Sequence, residues 1–425
     1  MKKTPIGVCD RAIEVCLWLL LFCLPFAKAG VELFAWLGIL FWILKRCFGY
    51  RTSGRFRLVP TTPLNKVIAA YLVVNALATI FSVDHALSTR ALYCKTLKFV
   101  LIYFMVVETI VDKKRLRNIC LVLMSSALLM IADAIVQYHS GVDFLRGHGW
   151  ARLTVSFASA NDFAAWLIIV IPIFSGILLT PSTQLFPRKI KWGLLMVTIL
   201  LLLCLLFTYS RGAWFGILFA TVLAIGYGIT RVSVRQKMKT LLLVLGLIGV
   251  VAILPQSVKG KISEVEYLDS RSRETIMERL TLIQDSASIR GQLWHEAFSI
   301  VEDFPLLGTG LNTYSRVAPA YKVFDGGGGY PHNSFLQMTA ETGLLGLGAF
   351  LWILVEFFKW GCRLLKRQTR TLVAGMLAGI LAFLIQSFVD TNLYSLPLIV
   401  MFWFMLGLTV AANNVFAQVR TSTAR

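Results

Sequence analysis

Negative charge is what this chain has least of. It carries 22 Asp and Glu against 42 Lys and Arg, and only 15% of its 425 residues are charged. Its five histidines and eight cysteines contain no HExxH, no CxxC and no cluster with metal-ligand spacing. DxD pairs and P-loops are absent too, so neither a metal-held nucleotide sugar nor a bound nucleoside triphosphate explains its chemistry. Energy must then come from an activated substrate or from a gradient. No internal repeat is visible, which weighs against many transporter folds. No disulfide framework is implied, because all eight cysteines fall in expected membrane spans or on the expected cytoplasmic side, where they read as small buried hydrophobes.

What is present is apolar sequence. Hydrophobic residues make up 57% of the chain and its mean hydropathy is +0.72. A soluble domain of this length has no core large enough to hide that surface, so lipid is the solvent for most of it. In lipid every backbone polar group must be satisfied within the protein, and continuous rather than alternating apolar runs select helices over a barrel. About twelve spans are expected, near 12–28, 30–44, 65–82, 91–110, 118–137, 161–180, 191–209, 211–230, 240–255, 335–358, 371–389 and 393–413. The fold class is therefore an all-α polytopic membrane protein.

The net charge of +20 is not a nucleic-acid signal, because the Lys and Arg residues lie in short clusters between apolar runs. They sit on alternate connections: Lys2, Lys3 and Arg11; Lys45 to Arg57; Lys113 to Arg117; Arg188 to Lys191; Arg231 to Lys239; Lys359 to Arg370; Arg420 and Arg425. By the positive-inside rule this side is cytoplasmic, with both termini on it. The apolar run ending Ala27-Lys28-Ala29-Gly30 has features of a cleavable signal, but the lysine inside it and the second run behind it favour an uncleaved first span.

Three segments follow: 1–254 with nine spans, 255–334 as one large external loop, and 335–425 with three spans and a tail. Within the loop, 272–303 reads as a helix with Ile289, Leu293, Ala297 and Ile300 on one face and Ser286 or Ser288 as N-cap. The run Gly326–Gly329 suggests a mobile flap or a close backbone approach.

Four features of the outer side can carry chemistry. Arg211, in Tyr209-Ser210-Arg211-Gly212, occupies a tight turn between two spans, against the positive-inside bias. A snorkelling arginine is the alternative. Arg290 borders the apolar face of the loop helix, where a solvated or headgroup-bound arginine is equally in keeping with the pattern. His332, in Tyr330-Pro331-His332-Asn333-Ser334, opens a span. Imidazole titrates near neutrality and accepts a proton from a sugar hydroxyl, although a lone histidine is more often structural. Asp84, Asp162 and Asp390 sit near external span ends, to orient a base, to cap a helix or to pair with Lys95 or Lys98. Two guanidiniums and one imidazole suffice to hold a diphosphate, stabilise its departure and deprotonate an attacking hydroxyl, and in-line attack would invert the anomeric centre. The transport alternative would use Lys95, Lys98, Glu108, Asp133 and Glu356, several of which lie near span ends.

These residues resemble the bacterial O-antigen ligases of the O-antigen ligase/polymerase superfamily. The motifs are Tyr209-Ser210-Arg211-Gly212-Ala213-Trp214, Arg290-Gly291-Gln292-Leu293-Trp294-His295-Glu296-Ala297, Pro305-Leu306-Leu307-Gly308-Thr309-Gly310 and Pro331-His332-Asn333-Ser334-Phe335-Leu336, followed by Glu341-Thr342-Gly343-Leu344-Leu345-Gly346. The resemblance implies a GT-C-like fold of about twelve spans with one periplasmic loop, in a bacterial inner membrane. It implies transfer of a polysaccharide from undecaprenyl diphosphate to the lipid A–core, without metal, nucleotide or cofactor. By motif match Arg211 and Arg290 bind the diphosphate and His332 is the base, with Asn333, Tyr209, Asp390 and Asp84 in support. Asn161 also matches a family position. O-antigen polymerases, protein O-oligosaccharyltransferases and some exopolysaccharide or teichuronic-type polymerases share the pattern. The chain ends about twelve residues after the last expected span, which favours a ligase over the longer protein-glycosylating relatives.

Overall fold

The computed structural model describes residues 4–53, 59–147, 149, 152–180, 185–226, 276–324, 329–365 and 370–423. Helices dominate, and among the described residues the only strand-like pairing is an isolated bridge between Val142 and Gly149. The helices are α1 (Pro5–Cys23), α2 (Lys28–Ser53), α3 (Asn65–Ile80), α4 (His85–Ala91), α5 (Lys98–Thr109), α6 (Lys113–Ser140), α7 (Ala160–Leu179), α8 (Arg188–Phe207), α9 (Arg211–Gly226), α10 (Ile276–Asp303), the short α11 (Tyr314–Val317), α12 (Ser334–Leu365), α13 (Arg370–Gln386) and α14 (Leu396–Thr423). Helices occupy eleven of the twelve expected spans. The twelfth, 240–255, lies outside the described residues, as do Arg231 to Lys239 and residues 326–328 of the glycine run. Five helices (α6, α7, α8, α12 and α14) are long and apolar enough to cross a membrane by length and composition. This is a multi-pass, all-α membrane protein.

Local chemistry starts and stops these helices where the sequence permits. Asp84, Asp112 and Ser159 each turn a side-chain oxygen onto a backbone N–H of the first turn of α4, α6 and α7, satisfying donors that have no partner in the helix. Helix α6 ends at Gly141, whose φ of 77° is the left-handed closure that glycine adopts without strain. At the end expected to be cytoplasmic, Glu108 takes Lys45, Arg46 and the Trp42 indole, while Asp10 pairs with Lys45 and Glu14 with Arg115. These pairs knit α1, α2, α5 and α6.

Helix α13 lies against α7 and α9 through glycines. A β-carbon on Gly176 would stand 2.5 Å from the Thr371 carbonyl oxygen, one on Gly379 2.7 Å from Ile169 O, and one on Gly216 2.7 Å from Ala382 O; Gly375 abuts Pro172 O in the same way. Backbones this close gain dispersion contact that larger residues would forbid, the usual basis of helix association in lipid. Since α7 and α13 run antiparallel, this seam brings the start of α7, the start of α9 and the end of α13 to one end of the bundle.

Helix α12 is broken at Gly343, whose φ of 66° and ψ of −176° are open to glycine alone. The break strands the carbonyls of Ala340 and Glu341 and the N–H groups of Leu344 and Leu345. All four are taken up by the segment Pro305 to Gly310: Thr309 N to Ala340 O at 2.9 Å, Gly310 N to Glu341 O at 2.8 Å, Leu344 N to Pro305 O at 2.8 Å and Leu345 N to Leu306 O at 3.2 Å. The two glycine motifs thus complete each other's hydrogen bonding, as buried backbone must. The buried Glu341 carboxylate adds bonds to the N–H groups of Asn312 and Tyr314.

The segment between α9 and α12 is described from residue 276. Its helix α10 packs Ala297 and Ile300 against Tyr314, Ala318, Leu336 and Ala340 in a small second core. Two expectations need correction here. Ile289 is exposed rather than on the buried face, which among the described side chains of α10 is formed by Leu293, Ala297 and Ile300. Ser286 and Ser288 do not cap the helix, which runs through them from Ile276. Cys47 and Cys94 are also exposed, not buried.

Alanine at Gly343 or Gly308 must hold a left-handed backbone and push its methyl into Leu306 or Glu341. Each should cost at least about 2 kcal/mol and lower the melting temperature of the detergent-solubilised protein. Gly348, with open space around it, should tolerate alanine within about 0.5 kcal/mol.

Candidate active site

The converging ends of α7, α9 and α13 meet the loop that precedes α12. Ser334 N donates to the carbonyls of Ser387 (2.8 Å) and Asp390 (3.1 Å), and its hydroxyl donates to Asp390 O at 2.9 Å. Asn333 caps α12, accepting from Phe335 N and Leu336 N at 3.0 and 3.1 Å. From the other side the Trp294 indole of α10 donates to Pro331 O at 2.8 Å. Between these anchors His332 adopts a φ of +48°. That conformation is uncommon for a residue with a side chain and persists only when its surroundings enforce it.

The strain has a result. His332 Nδ1 stands 3.5 Å from Asp390 Oδ1. The carboxylate, an acceptor only, favours the tautomer with its proton on Nδ1 and leaves the Nε2 lone pair free. Asp390 is itself buried, and it receives the Thr391 N–H at 2.8 Å and the Asn161 side chain. Burial pushes its carboxyl up, but the His332 and Thr391 hydrogen bonds, the imidazole charge and Asn161 outweigh that and hold it below the ordinary aspartate value.

Beside this pair lie three arginines. Arg152 donates from Nε to Thr208 O at 2.8 Å and from Nη2 to Asn161 Oδ1 at 3.0 Å. Its guanidinium pKa is lowered by burial and by the neighbouring charges of Arg211 and Arg290, with Asp390 acting the other way. Arg211 is the first residue of α9 and is exposed; Arg290 on α10 is half-buried. Gly212 lets Arg211 sit there, since a β-carbon at 212 would come 2.7 Å from Val389. Tyr209 has a φ of +50°, closing the α8–α9 turn.

So the structure brings His332, Arg211 and Arg290 to one place, with Asn333 and Tyr209 shaping the backbone there. It adds Asp390 at the histidine. Asp84 is elsewhere: it caps α4 and pairs with Arg316. Asp162 accepts from Ser395 at 3.0 Å. Lys98 pairs with Glu32 and Lys95 reaches Asn312, so neither takes an aspartate. Sequence reasoning missed Arg152. Its signal, a basic residue in a loop expected to be external, against the positive-inside bias, is the same one that marks Arg211.

Chemically, three guanidiniums gathered near the Asp390 carboxylate make a site for a polyvalent anion with an imidazole at its edge. The comparisons with known proteins agree in kind. Residues 196–351 match the family described as O-antigen ligase. The match contains Arg211, Arg290, His332 and both glycine motifs, while Arg152, Asn161 and Asp390 fall outside it. The chain is also 25% identical over 280 residues to the teichuronic acid biosynthesis protein TuaE of Bacillus subtilis (strain 168), covering 63% of this chain and 53% of that protein. It thus spans about half the length of the curated relative it matches. Similarity to the O-antigen ligase superfamily is what the two have in common.

Replacing Asp390 with asparagine removes the negative charge and offers an amide that can donate as well as accept, so the Nδ1–H tautomer is no longer selected. Activity should fall by roughly a hundredfold or more, and the melting temperature should drop at neutral pH, where the wild-type carboxylate is ionised. The ionised Asp390 is favoured by the fold, so its stabilisation is complete above the ordinary aspartate range and disappears as pH falls through the lowered value. Thermal scans across acid pH should therefore show a smaller pH-dependent loss in Asp390→Asn than in wild type.

Proposed function

We propose that this protein is a glycosyltransferase of the O-antigen ligase type. It moves a polysaccharide from undecaprenyl diphosphate to the lipid A–core, at the periplasmic face of a bacterial inner membrane. The observation that carries the reading is the convergence of Arg152, Arg211 and Arg290 beside the His332–Asp390 pair. Guanidiniums hold a diphosphate in bidentate fashion and neutralise the charge that grows on it as it leaves. A hydroxyl of the acceptor attacks the anomeric carbon from the face opposite the diphosphate. The new C–O bond forms as the bond to the diphosphate oxygen breaks, and the hydroxyl proton passes to His332 Nε2. The undecaprenyl diphosphate departs with the bonding electrons, and the anomeric centre is inverted. The arginines supply the countercharge, so the scheme calls for no metal ion, cofactor or nucleic acid.

Transport is the weaker reading. The charges it would use are spent separately: Lys98 on Glu32, Glu108 on Lys45 and Arg46, Glu356 on Lys359, and Asp133 on the Phe144 N–H. They do not line one path. The similarity to a protein of teichuronic acid biosynthesis favours one second reading, a polymerase that uses the same site to extend a chain on its carrier.

Alanine at His332 should lower transfer by about 10²–10⁴-fold. Alanine at Arg152, Arg211 or Arg290 should each lower it by about 10²–10³-fold, with lysine restoring only part because it lacks the planar fork. Full activity in the His332 variant would remove it as the base, and loss of activity in EDTA would sink the metal-free scheme. In a deletion strain, bare core with long polymer stranded on the carrier identifies a ligase. Core bearing a single repeat identifies a polymerase, and an unchanged ladder rejects both.

A further inference from the structure

A cavity of about 520 Å³ shares no lining residue with the His332 cluster. It is enclosed by α2, α3, α4, the π-helical stretch Leu92–Leu97, α12 and α14, with Leu311 and Asn312 as part of its rim. Its volume falls within the range of small-molecule sites, roughly 300–1,000 Å³. Aromatic walls come from Trp36, Tyr71, Phe350, Tyr394 and Trp403. Asn75, fully buried, also lines it: its Nδ2 donates to Tyr71 O at 2.7 Å, but its Oδ1 has no partner. A buried amide oxygen left without a donor is costly, and a ligand hydroxyl would satisfy it.

The rim is cationic. A π-helix brings residues five apart onto one face, and Arg90 and Lys95 both line the cavity where the chain enters such a stretch. Lys95 is held by the side chain of Asn312, whose φ of +61° is strained, and it lies within electrostatic reach of Glu341. Glu341 is already engaged by backbone N–H groups, and Glu32 is paired with Lys98. Arg90 has no ion pair or side-chain hydrogen bond among the described residues, so the cavity carries one cation in excess.

We infer that this cavity binds an anionic saccharide unit of the glycan or glycolipid substrate, its ring against the aromatic walls, a hydroxyl donating to Asn75 Oδ1 and its carboxylate or phosphate on Arg90 and Lys95. A lipid chain would leave both the amide oxygen and the cations unsatisfied. A sugar ring meets every group, because its C–H faces are apolar and its hydroxyls are donors. The link to glycan transfer rests on the function proposed above; the ligand preference of the cavity does not.

Two native cysteines make the test direct. Cys94 lines the cavity and is exposed, whereas Cys47 is exposed and lies outside it. Maleimide alkylation of the full chain in nanodiscs is followed at both sites while glucuronic acid, glucose 6-phosphate or glucose is titrated in. Saturable slowing at Cys94 alone is expected, with at least one acidic sugar effective at roughly tenfold lower concentration than glucose. Which acid protects tells a carboxylate-bearing sugar from a phosphorylated one. Arg90→Gln with Lys95→Gln should erase the preference, Arg90→Lys should keep most of it, and Asn75→Ala should weaken all three sugars. The His332→Ala protein should be protected like wild type, so protection without any transfer in the wild-type chain would retain the cavity and reject the glycosyltransferase reading. Equal protection by glucose, no protection by any sugar, or parallel slowing at Cys47 would overturn the inference.

Discussion

The active-site end of this bundle depends on how closely α13 can approach α7 and α9. Glycines at 176, 216, 375 and 379 let backbone meet backbone, and in lipid such contact replaces the hydrophobic effect as the source of helix association. Everything at the site inherits its position from that seam. Asn161 begins α7, Arg211 begins α9 and Asp390 follows α13, so a shift of α13 along its partners would part the histidine's carboxylate from the arginines. Gln386 fastens the same end by donating to Asn161 O at 3.1 Å.

The second constraint is the break in α12. A continuous helix would need nothing from the loop, whereas one interrupted at the buried Gly343 presents two bare carbonyls and two bare N–H groups inside the protein. The Pro305 to Gly310 segment meets all four, and Ser82 and Ser88 then tie it to α3 and α4 through Thr309 O and Leu311 O. The segment between α9 and α12 is thereby fixed to the bundle by backbone bonding rather than by apolar packing alone, and α10 with Arg290 is carried into place. Its small core around Ala297, Ile300 and Tyr314 stiffens a docking that the glycine motifs set.

Much of this was legible in the chain itself, for physical reasons. Apolar runs of span length located eleven helices because lipid demands them. Arg211 stood out because a cation in a short turn expected to be external runs against a strong bias. His332 stood out because a proline and a helix start bracket it. What could not be read are relations across distance. Asp390 was one of three similar aspartates until Ser334 was found bound to its carbonyl. Arg152 lies 59 positions before Arg211, with nothing local to join them. The glycines of α13 were visible, but their partners on α7 and α9 were not. Ile289 was misjudged because helical periodicity says which residues share a face and not which of them are packed. Cys94 is exposed although it lies in an apolar run, because it lines a cavity that the run's composition does not reveal.

The site also shows why its strain and its charge belong together. Arg152 is repelled by both Arg211 and Arg290, and the carboxylate that offsets them, Asp390, is already committed to His332. The fold tolerates the excess because each cation enters from a different support: Arg152 pinned by Thr208 O and Asn161, Arg211 at a helix start, Arg290 on the docked loop helix. A diphosphate would relieve that repulsion, and most fully when charge on it is greatest, as the glycosidic bond breaks. The backbone strain at His332 acts in the same direction. It holds the imidazole beside Asp390, so in the proposed reaction its orientation is already in place when the hydroxyl loses its proton.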